Sequence, residues 1–190
     1  STATSASSNF TVTVDPVADG VTLTANNVSG DEDASGGIAL DISGSLIDSS
    51  ETLTSFTISG VPDGVSLSHG TNNGDGTWTV DPGDIGSVSI TPAANFSGDI
   101  DLSVTAVSTE SDGSTATSAS SNFTVTVDPV ADGVSITANN VSGDEDASGG
   151  IALDISGSLI DSSETLTSFT ISGVPDGVSL SHGTNLSLIH

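Results

Sequence analysis

Carboxylate and hydroxyl side chains recur at alternate positions of the segment Asp31-Glu32-Asp33-Ala34-Ser35-Gly36, which could bind a metal ion. Oxygen ligands in this spacing followed by glycine resemble the start of an EF-hand calcium loop. An EF-hand is excluded, because the twelfth position is Ile42 rather than glutamate and predicted strands flank the segment. Short carboxylates two residues apart in a tight turn can still converge on one hard cation. We therefore predict a Ca²⁺ site at Asp31, Glu32 and Asp33, with a solvated turn as the alternative.

Further acidic residues occur in the segments that connect the predicted strands and domains. Carboxylates that face each other where two domains meet repel one another unless a cation lies between them, and binding would then fix the interdomain angle. The remaining candidate Ca²⁺ ligands are Asp15, Asp19, Asp48, Glu51, Glu110, Asp112, Asp128, Asp132, Asp144, Glu145, Asp146, Asp161 and Glu164.

The charge composition limits the partners that this chain can bind. It has 25 acidic residues, of which 20 are aspartate, and it has no lysine or arginine. Nucleic acid is excluded as a partner, because binding to phosphates needs basic side chains. Anionic lipid is disfavoured for the same reason, and no apolar run is long enough for membrane insertion. The carboxylates must be solvated, capped by amides or neutralised by metal; an acidic surface that only confers solubility is the competing interpretation.

Residues for catalysis are scarce, and we do not expect an enzyme. His69 and His182 occupy the same position of an internal repeat, and neighbouring serines do not by themselves form a triad. There is no cysteine, which excludes disulfides, thiolate metal sites and thiol nucleophiles. Trp78, the only tryptophan, is predicted to lie in the core rather than on a sugar-stacking surface.

The apolar residues that must position these carboxylates alternate with a period of two. Phe10, Val12 and Val14 alternate with threonines, and similar runs recur between clusters of Gly, Pro, Asp and Asn. Short alternating strands with turn signals at roughly ten-residue spacing predict an antiparallel β-sandwich. We expect an all-β fold of about seven or eight strands per domain.

A long internal repeat sets the domain organisation. Residues 1–72 recur as 114–185 with two differences, Ser135 for Thr22 and Ile136 for Leu23, which gives a period of 113 residues. This period has the length of a small domain. The predicted segments are a last strand of a preceding repeat at 1–14, a linker at 15–19, a complete sandwich at 20–127, a linker at 128–132, a truncated half repeat at 133–185 and a non-native tail at 186–190.

The half repeat should not hold a unique fold alone. It lacks the counterparts of Trp78, Ile90, Phe96 and Leu102, which are predicted to face the core of the complete repeat. A sheet buried on one side only is insufficiently stable, and residues 1–14 would supply one strand at most.

The order of motifs within the period resembles a known family. Gly-Asp-Glu-Asp, Ile-Ala-Leu-Asp-Ile, Ile-Ser-Gly-Val-Pro-Asp-Gly-Val-Ser-Leu, Gly-Asp-Gly-Thr-Trp and Ile-Thr-Pro-Ala-Ala-Asn-Phe-Ser-Gly-Asp look like the cadherin-like (VCBS-type) repeats of giant RTX bacterial adhesins. The resemblance implies an Ig-like or cadherin-like sandwich, Ca²⁺ at domain junctions, type I secretion to the bacterial cell surface, and a stalk that supports adhesion or biofilm formation. One departure is the run Asp48-Ser49-Ser50-Glu51, where the family often has Asp-x-Asp-Gly-Ser-Glu.

Two functional hypotheses follow. The first is a structural extender that is stiffened by calcium and whose partners are the neighbouring identical repeats, with the host glycan or protein target bound elsewhere in the parent protein. The second is a repeat that itself binds a glycan or protein ligand weakly and acts through avidity.

Overall fold

The computed structural model describes residues 1–184, and these form an all-β structure, as predicted. Its strands are β1 Val21–Asn26, β2 Val28–Asp31, β3 Ile38–Ala39, β4 Asp41–Leu46, β5 Thr52–Ser59, β6 Ser66–Leu67, β7 Thr71–Asn72, β8 Thr77–Val80, β9 Ser89–Thr91, β10 Gly98–Thr109, β11 Thr115–Thr117, β12 Ser121–Asp128, β13 Val134–Asn139 and β14 Asp154–Leu159. One 3₁₀ turn, Ile85–Ser87, is the helical element among these residues, and no helix there is long and apolar enough to cross a membrane.

The strands of the first repeat form a sandwich around one core. The larger sheet has the order β2-β12-β10-β5-β8-β7, with β11 also paired to β10. The opposing layer consists of the β1-β4 pair and the β3-β9-β6 sheet. All of these pairs are antiparallel except β12 with β2, which is parallel. Buried side chains from both layers form a single cluster, which identifies the two layers as the halves of a sandwich.

Alternation along the paired strands β10 and β12 explains this burial. Every second residue of β10 points inward, from Ile100 through Ala106, and each of these side chains is buried. In the adjacent β12 the inward residues run from Phe123 to Val127. Because successive side chains of a strand point to opposite faces, the threonines and serines between them are more exposed. The period-two pattern of the sequence is therefore the pattern of the core.

Two adjacent glycines after β2 have conformations that other residues rarely adopt. Gly36 has a φ of 98° and Gly37 a φ of 77°, both in the left-handed region. A Cβ atom on Gly37 would lie 2.6 Å from the carbonyl oxygen of Ile90, whereas one on Gly36 would meet nothing within 4 Å. Gly37 thus allows the chain to pass close to β9 before β3 begins.

The chain divides into two compact units, Ser1–Ala131 and Asp132–His190, and the division falls in the predicted linker 128–132. In the second unit β13 pairs with β14, but its apolar residues remain exposed. Phe56 is fully buried in the first repeat, while the equivalent Phe169 is 45% exposed. The half repeat thus forms local strand pairing without a core, because the residues that would cover it are not in the chain.

The segment 1–14, which is predicted to be the last strand of a preceding repeat, lies here without the strands it would pair with. Residues 1–20 contain no strand, and Phe10 is 87% exposed. The identical sequence forms β12 in the complete repeat, where Phe123 is 3% exposed. The difference has a physical reason: β12 lies between β10 and β2, and the N-terminal copy has no such neighbours.

Candidate functional site: carboxylates at the two ends of the repeat

The topology places several candidate residues at the end of the sandwich where the chain enters. Val21, the first residue of β1, pairs with Leu46, the last of β4. Thr52, the first residue of β5, pairs with Thr109, the last of β10. The linker residue Asp19 and the loops 47–51 and 110–114 therefore lie together, and we call this the entry end.

A second group of candidates lies at the opposite end, where the chain leaves the repeat. Asp31 at the end of β2 pairs in parallel with Asp128 at the end of β12. Gly98 at the start of β10 pairs with Val127, so β10 spans the whole distance between the two ends. We call this the exit end.

At the entry end, the main chain of Asp19 is bound by two buried side chains. Glu51 is 5% exposed, and its Oε1 accepts a hydrogen bond from the amide of Asp19. The hydroxyl of Ser108, which is fully buried, donates to the carbonyl oxygen of Asp19. Both main-chain polar groups of this linker residue are thus held by the repeat that follows the linker.

A second buried carboxylate lies at the same end. Glu110 is 7% exposed; its Oε1 accepts a hydrogen bond from the Ser50 hydroxyl at 2.9 Å, and its Oε2 accepts one from the Ser111 amide at 2.8 Å. These bonds join the loops 47–51 and 110–114. The entry end therefore contains two largely desolvated glutamates in a protein that has no lysine or arginine.

The aspartates of these loops have a different role. Asp48 accepts a hydrogen bond from the Ser50 amide at 3.0 Å, and Asp112 accepts one from the Ser114 amide at 2.8 Å. The backbone hydrogen bond from Ser50 lowers the pKa of Asp48 below the ordinary value of 3.8. Both side chains are exposed and close turns, which is the turn chemistry that short acidic residues favour.

At the exit end, Glu32 binds the outgoing linker. Its Oε1 accepts a hydrogen bond from the Val130 amide at 2.8 Å, and its own amide donates to the carbonyl oxygen of Asp128 at 3.0 Å. Asp31 and Asp33 are exposed on either side of it. The structure therefore separates the roles within this segment: the middle residue contacts the linker, and its two neighbours face solvent.

The second copy repeats the entry-end contact but not the exit-end contact. Glu164, the counterpart of Glu51, accepts a hydrogen bond from the Asp132 amide at 2.6 Å. Asp161 is buried and accepts a bond from the Ser163 amide at 2.8 Å; the side-chain hydrogen bond from Ser163 is the main cause of its lowered pKa. The remaining predicted ligands are exposed, namely Asp15, Asp128, Asp144, Glu145 and Asp146.

Two buried oxygens provide the test of whether a cation fits. Oε2 of Glu32 and Oε2 of Glu51 are buried and have no hydrogen-bond partner. A buried carboxylate oxygen without a partner is destabilising, and hard carboxylate oxygens are the ligands that Ca²⁺ prefers. Within residues 1–184, however, no group of three or more His, Asp or Glu side chains converges as a preformed site. The structure thus shows one unpartnered carboxylate oxygen at each end as a candidate ligand atom, without a preformed ligand set around it.

Glutamate rather than aspartate makes the linker contacts at the two ends, a distinction that the composition alone did not reveal. All three glutamates of the complete repeat, Glu32, Glu51 and Glu110, contact a linker or an end loop, and their longer side chains reach main-chain amides that aspartate would not. Their rarity, and the recurrence of Glu32 and Glu51 as Glu145 and Glu164, were the available signal. Ser108 was also detectable, because it occupies an inward position of β10 where the alternation calls for an apolar residue.

Comparison of the chain with family models, with curated proteins and with solved structures gave no match in any of the three.

Proposed function

We propose that each repeat is an extender module of a secreted bacterial surface stalk, and that Ca²⁺ at its two ends stiffens the junctions between repeats. One observation carries the cation part of this proposal. Glu32 and Glu51 each bind a linker amide through one oxygen and leave the other oxygen buried without a partner. Since the sequence has no lysine or arginine, the counter-charge has to come from outside the chain.

Glu32 at the exit end, and Glu51 with Glu110 at the entry end, would hold the cation. A bound Ca²⁺ would supply positive charge and additional oxygen coordination at these positions. The protein's own side chains orient the linker: Glu51 and Ser108 bind the main-chain amide and carbonyl of Asp19, and Glu32 binds the amide of Val130. Coordination of the unpartnered oxygens would offset the cost of burying these carboxylates beside the linkers.

The extender role is supported by the opposite placement of the two ends. The chain enters beside Asp19 and leaves beside Asp128, and the twelve-residue strand β10 separates them. At about 3.4 Å per residue this strand spans roughly 40 Å. Near-identical copies joined end to end provide length without a separate active site. The attribution to a secreted adhesin rests on the family resemblance of the motifs.

The test is thermal unfolding of the whole chain, monitored by the fluorescence of Trp78. This single tryptophan packs partly buried against the core of the complete repeat, so it reports on that unit. With a dissociation constant of roughly 0.1–1 mM, 10 mM CaCl₂ should stabilise the repeat by about 1.4–2.7 kcal/mol for each bound ion, relative to EDTA. MgCl₂ at the same concentration should have a smaller effect, because Mg²⁺ dehydrates reluctantly.

Substitutions at the entry end identify the source of the calcium effect. Glu51→Gln keeps an oxygen that can accept the Asp19 amide but removes the charge, so we expect the entry-end part of the calcium increment to disappear while the exit-end part and the stability in EDTA are retained. The matched control is Asp63→Asn, an exposed acidic residue of a β5–β6 turn that should leave the increment unchanged. Equal midpoints in EDTA and CaCl₂ for the unsubstituted chain would refute the cation proposal and favour the weak ligand-binding module.

A further inference from the structure

The linker between the two repeats is bound from both sides by glutamate side chains. On the upstream side, Glu32 binds the carbonyl of Asp128 at 3.0 Å through its amide and the amide of Val130 at 2.8 Å through its carboxylate. On the downstream side, the Glu164 carboxylate binds the amide of Asp132 at 2.6 Å. Each contact lies within a single compact unit: the contacts of Glu32 lie within the first unit, and the contact of Glu164 lies within the second.

We propose that Val130–Ala131 is the hinge between consecutive repeats. The hydrogen bonds of Glu32 to Val130 and of Glu164 to Asp132, which we call the glutamate clamps, confine interdomain motion to this pair of residues. The proposed role of this hinge rests on the extender function. Its geometry, however, depends on direct carboxylate-to-amide hydrogen bonds and not on a cation. It is therefore testable in EDTA, where the calcium proposal makes no contribution.

Backbone geometry defines the size of this hinge. Because peptide units are planar, fixing the amide of Val130 fixes the 129–130 peptide plane, and fixing the amide of Asp132 fixes the 131–132 plane. Pro129 has its φ angle set by its ring and also restricts the residue before it. The freely rotating part is the peptide unit between Val130 and Ala131 with its four flanking dihedral angles, and no hydrogen bond from the Ala131 amide occurs among the described residues.

The first linker of the chain serves as an internal control for the upstream clamp on the second linker. Residues 15–20 have the same sequence as 128–133, but their upstream side carries no glutamate clamp. Val17 is 76% exposed, whereas the equivalent Val130 is half-buried. The downstream contact is present in both linkers, as Asp19 with Glu51 and Asp132 with Glu164.

Amide hydrogen exchange of the whole chain in EDTA, followed residue by residue by NMR, tests the hinge. Val17 and Val130 have identical sequence neighbours, so their intrinsic exchange rates are equal and any difference reports on structure. We expect the Val130 amide to exchange at least about tenfold more slowly than that of Val17, given the usual strength of a hydrogen bond to a charged group. The Asp132 amide should likewise be protected relative to that of Ala131.

Substitutions distinguish the loss of one clamp from a loss of overall stability. Glu32→Ala should bring the Val130 rate to that of Val17, while Glu32→Gln should restore most of the protection, because its amide oxygen still accepts a hydrogen bond. Glu164→Ala should remove the protection of Asp132 alone. Glu145→Ala is the control, since this exposed counterpart of Glu32 contacts no linker. Equal rates at Val17 and Val130 in the unsubstituted chain, or an unprotected Asp132, would overturn the proposal whatever the outcome with calcium.

Discussion

Replacing Gly37 by alanine should destabilise the complete repeat more than the same change at its neighbour Gly36. Both residues have positive φ angles, so an alanine at either position adopts a left-handed conformation. Only at Gly37 does the new methyl group also meet the backbone of another strand, 2.6 Å from the carbonyl oxygen of Ile90. The pair therefore separates the conformational effect from the steric one.

The magnitudes follow from these two contributions. The left-handed conformation costs an L-residue about 1–2 kcal/mol, which is the whole effect expected for Gly36→Ala. Overpacking against a neighbour that must move adds about 1–3 kcal/mol, so Gly37→Ala should lose roughly 2–5 kcal/mol. For a domain of this size, each kcal/mol shifts the melting temperature by about 4 °C.

Urea unfolding followed by Trp78 fluorescence measures both variants in the same unit. A third variant, Gly150→Ala, changes the counterpart of Gly37 in the half repeat, where a Cβ atom would meet nothing within 4 Å. It should leave the Trp78 transition unchanged. Equal losses for Gly36→Ala and Gly37→Ala would refute the close approach of this turn to β9.

Three further predictions use the same fluorescence assay. Ser108→Ala should destabilise the complete repeat by about 0.5–1.5 kcal/mol, because it removes the hydrogen bond to the Asp19 carbonyl; an unchanged midpoint would show that the hydroxyl does not hold the linker. Acid should destabilise the repeat only below about pH 4: hydrogen bonds from the Thr77 side chain and amide lower the pKa of Asp75, so its contribution is complete above the ordinary 3.8 and is lost as the pH falls through the lower folded value. Asp75→Asn should flatten that acid limb, and an unaltered limb would contradict the assignment. Sodium chloride between 0.01 and 1 M should raise the midpoint in EDTA, because it screens the repulsion within a chain of net charge −25, and a fall would contradict this.

The strands and the sandwich were predictable because their signal is local. Alternation of apolar residues along β10 and β12 determines which side chains are buried, and it requires no knowledge of partners. Trp78 was placed in the core on the same grounds and does pack against it. Residues 1–14 have the same alternation but form no strand in this chain, because alternation describes a strand's faces and does not supply the neighbours it must pair with.

The end contacts were not predictable because they join residues far apart in the sequence. Val130 lies 98 positions from Glu32, and Asp19 lies 89 positions from Ser108. Counting acidic residues identified both ends as candidate regions, but it could not distinguish an aspartate that closes a turn from a glutamate that binds a linker. That distinction depends on side-chain reach and on which loops the topology brings together.

The parallel pairing of β2 with β12 determines how the repeat would respond to a pulling force. Tension along the chain draws β2 toward the entry end and β12 toward the exit end, so the two strands are pulled past each other lengthwise. Their register, from Val28 opposite Val125 to Asp31 opposite Asp128, then loads all of the intervening hydrogen bonds at once instead of opening them one after another. Pulling on the chain would therefore load this strand pair in shear, so that its hydrogen bonds would have to break together.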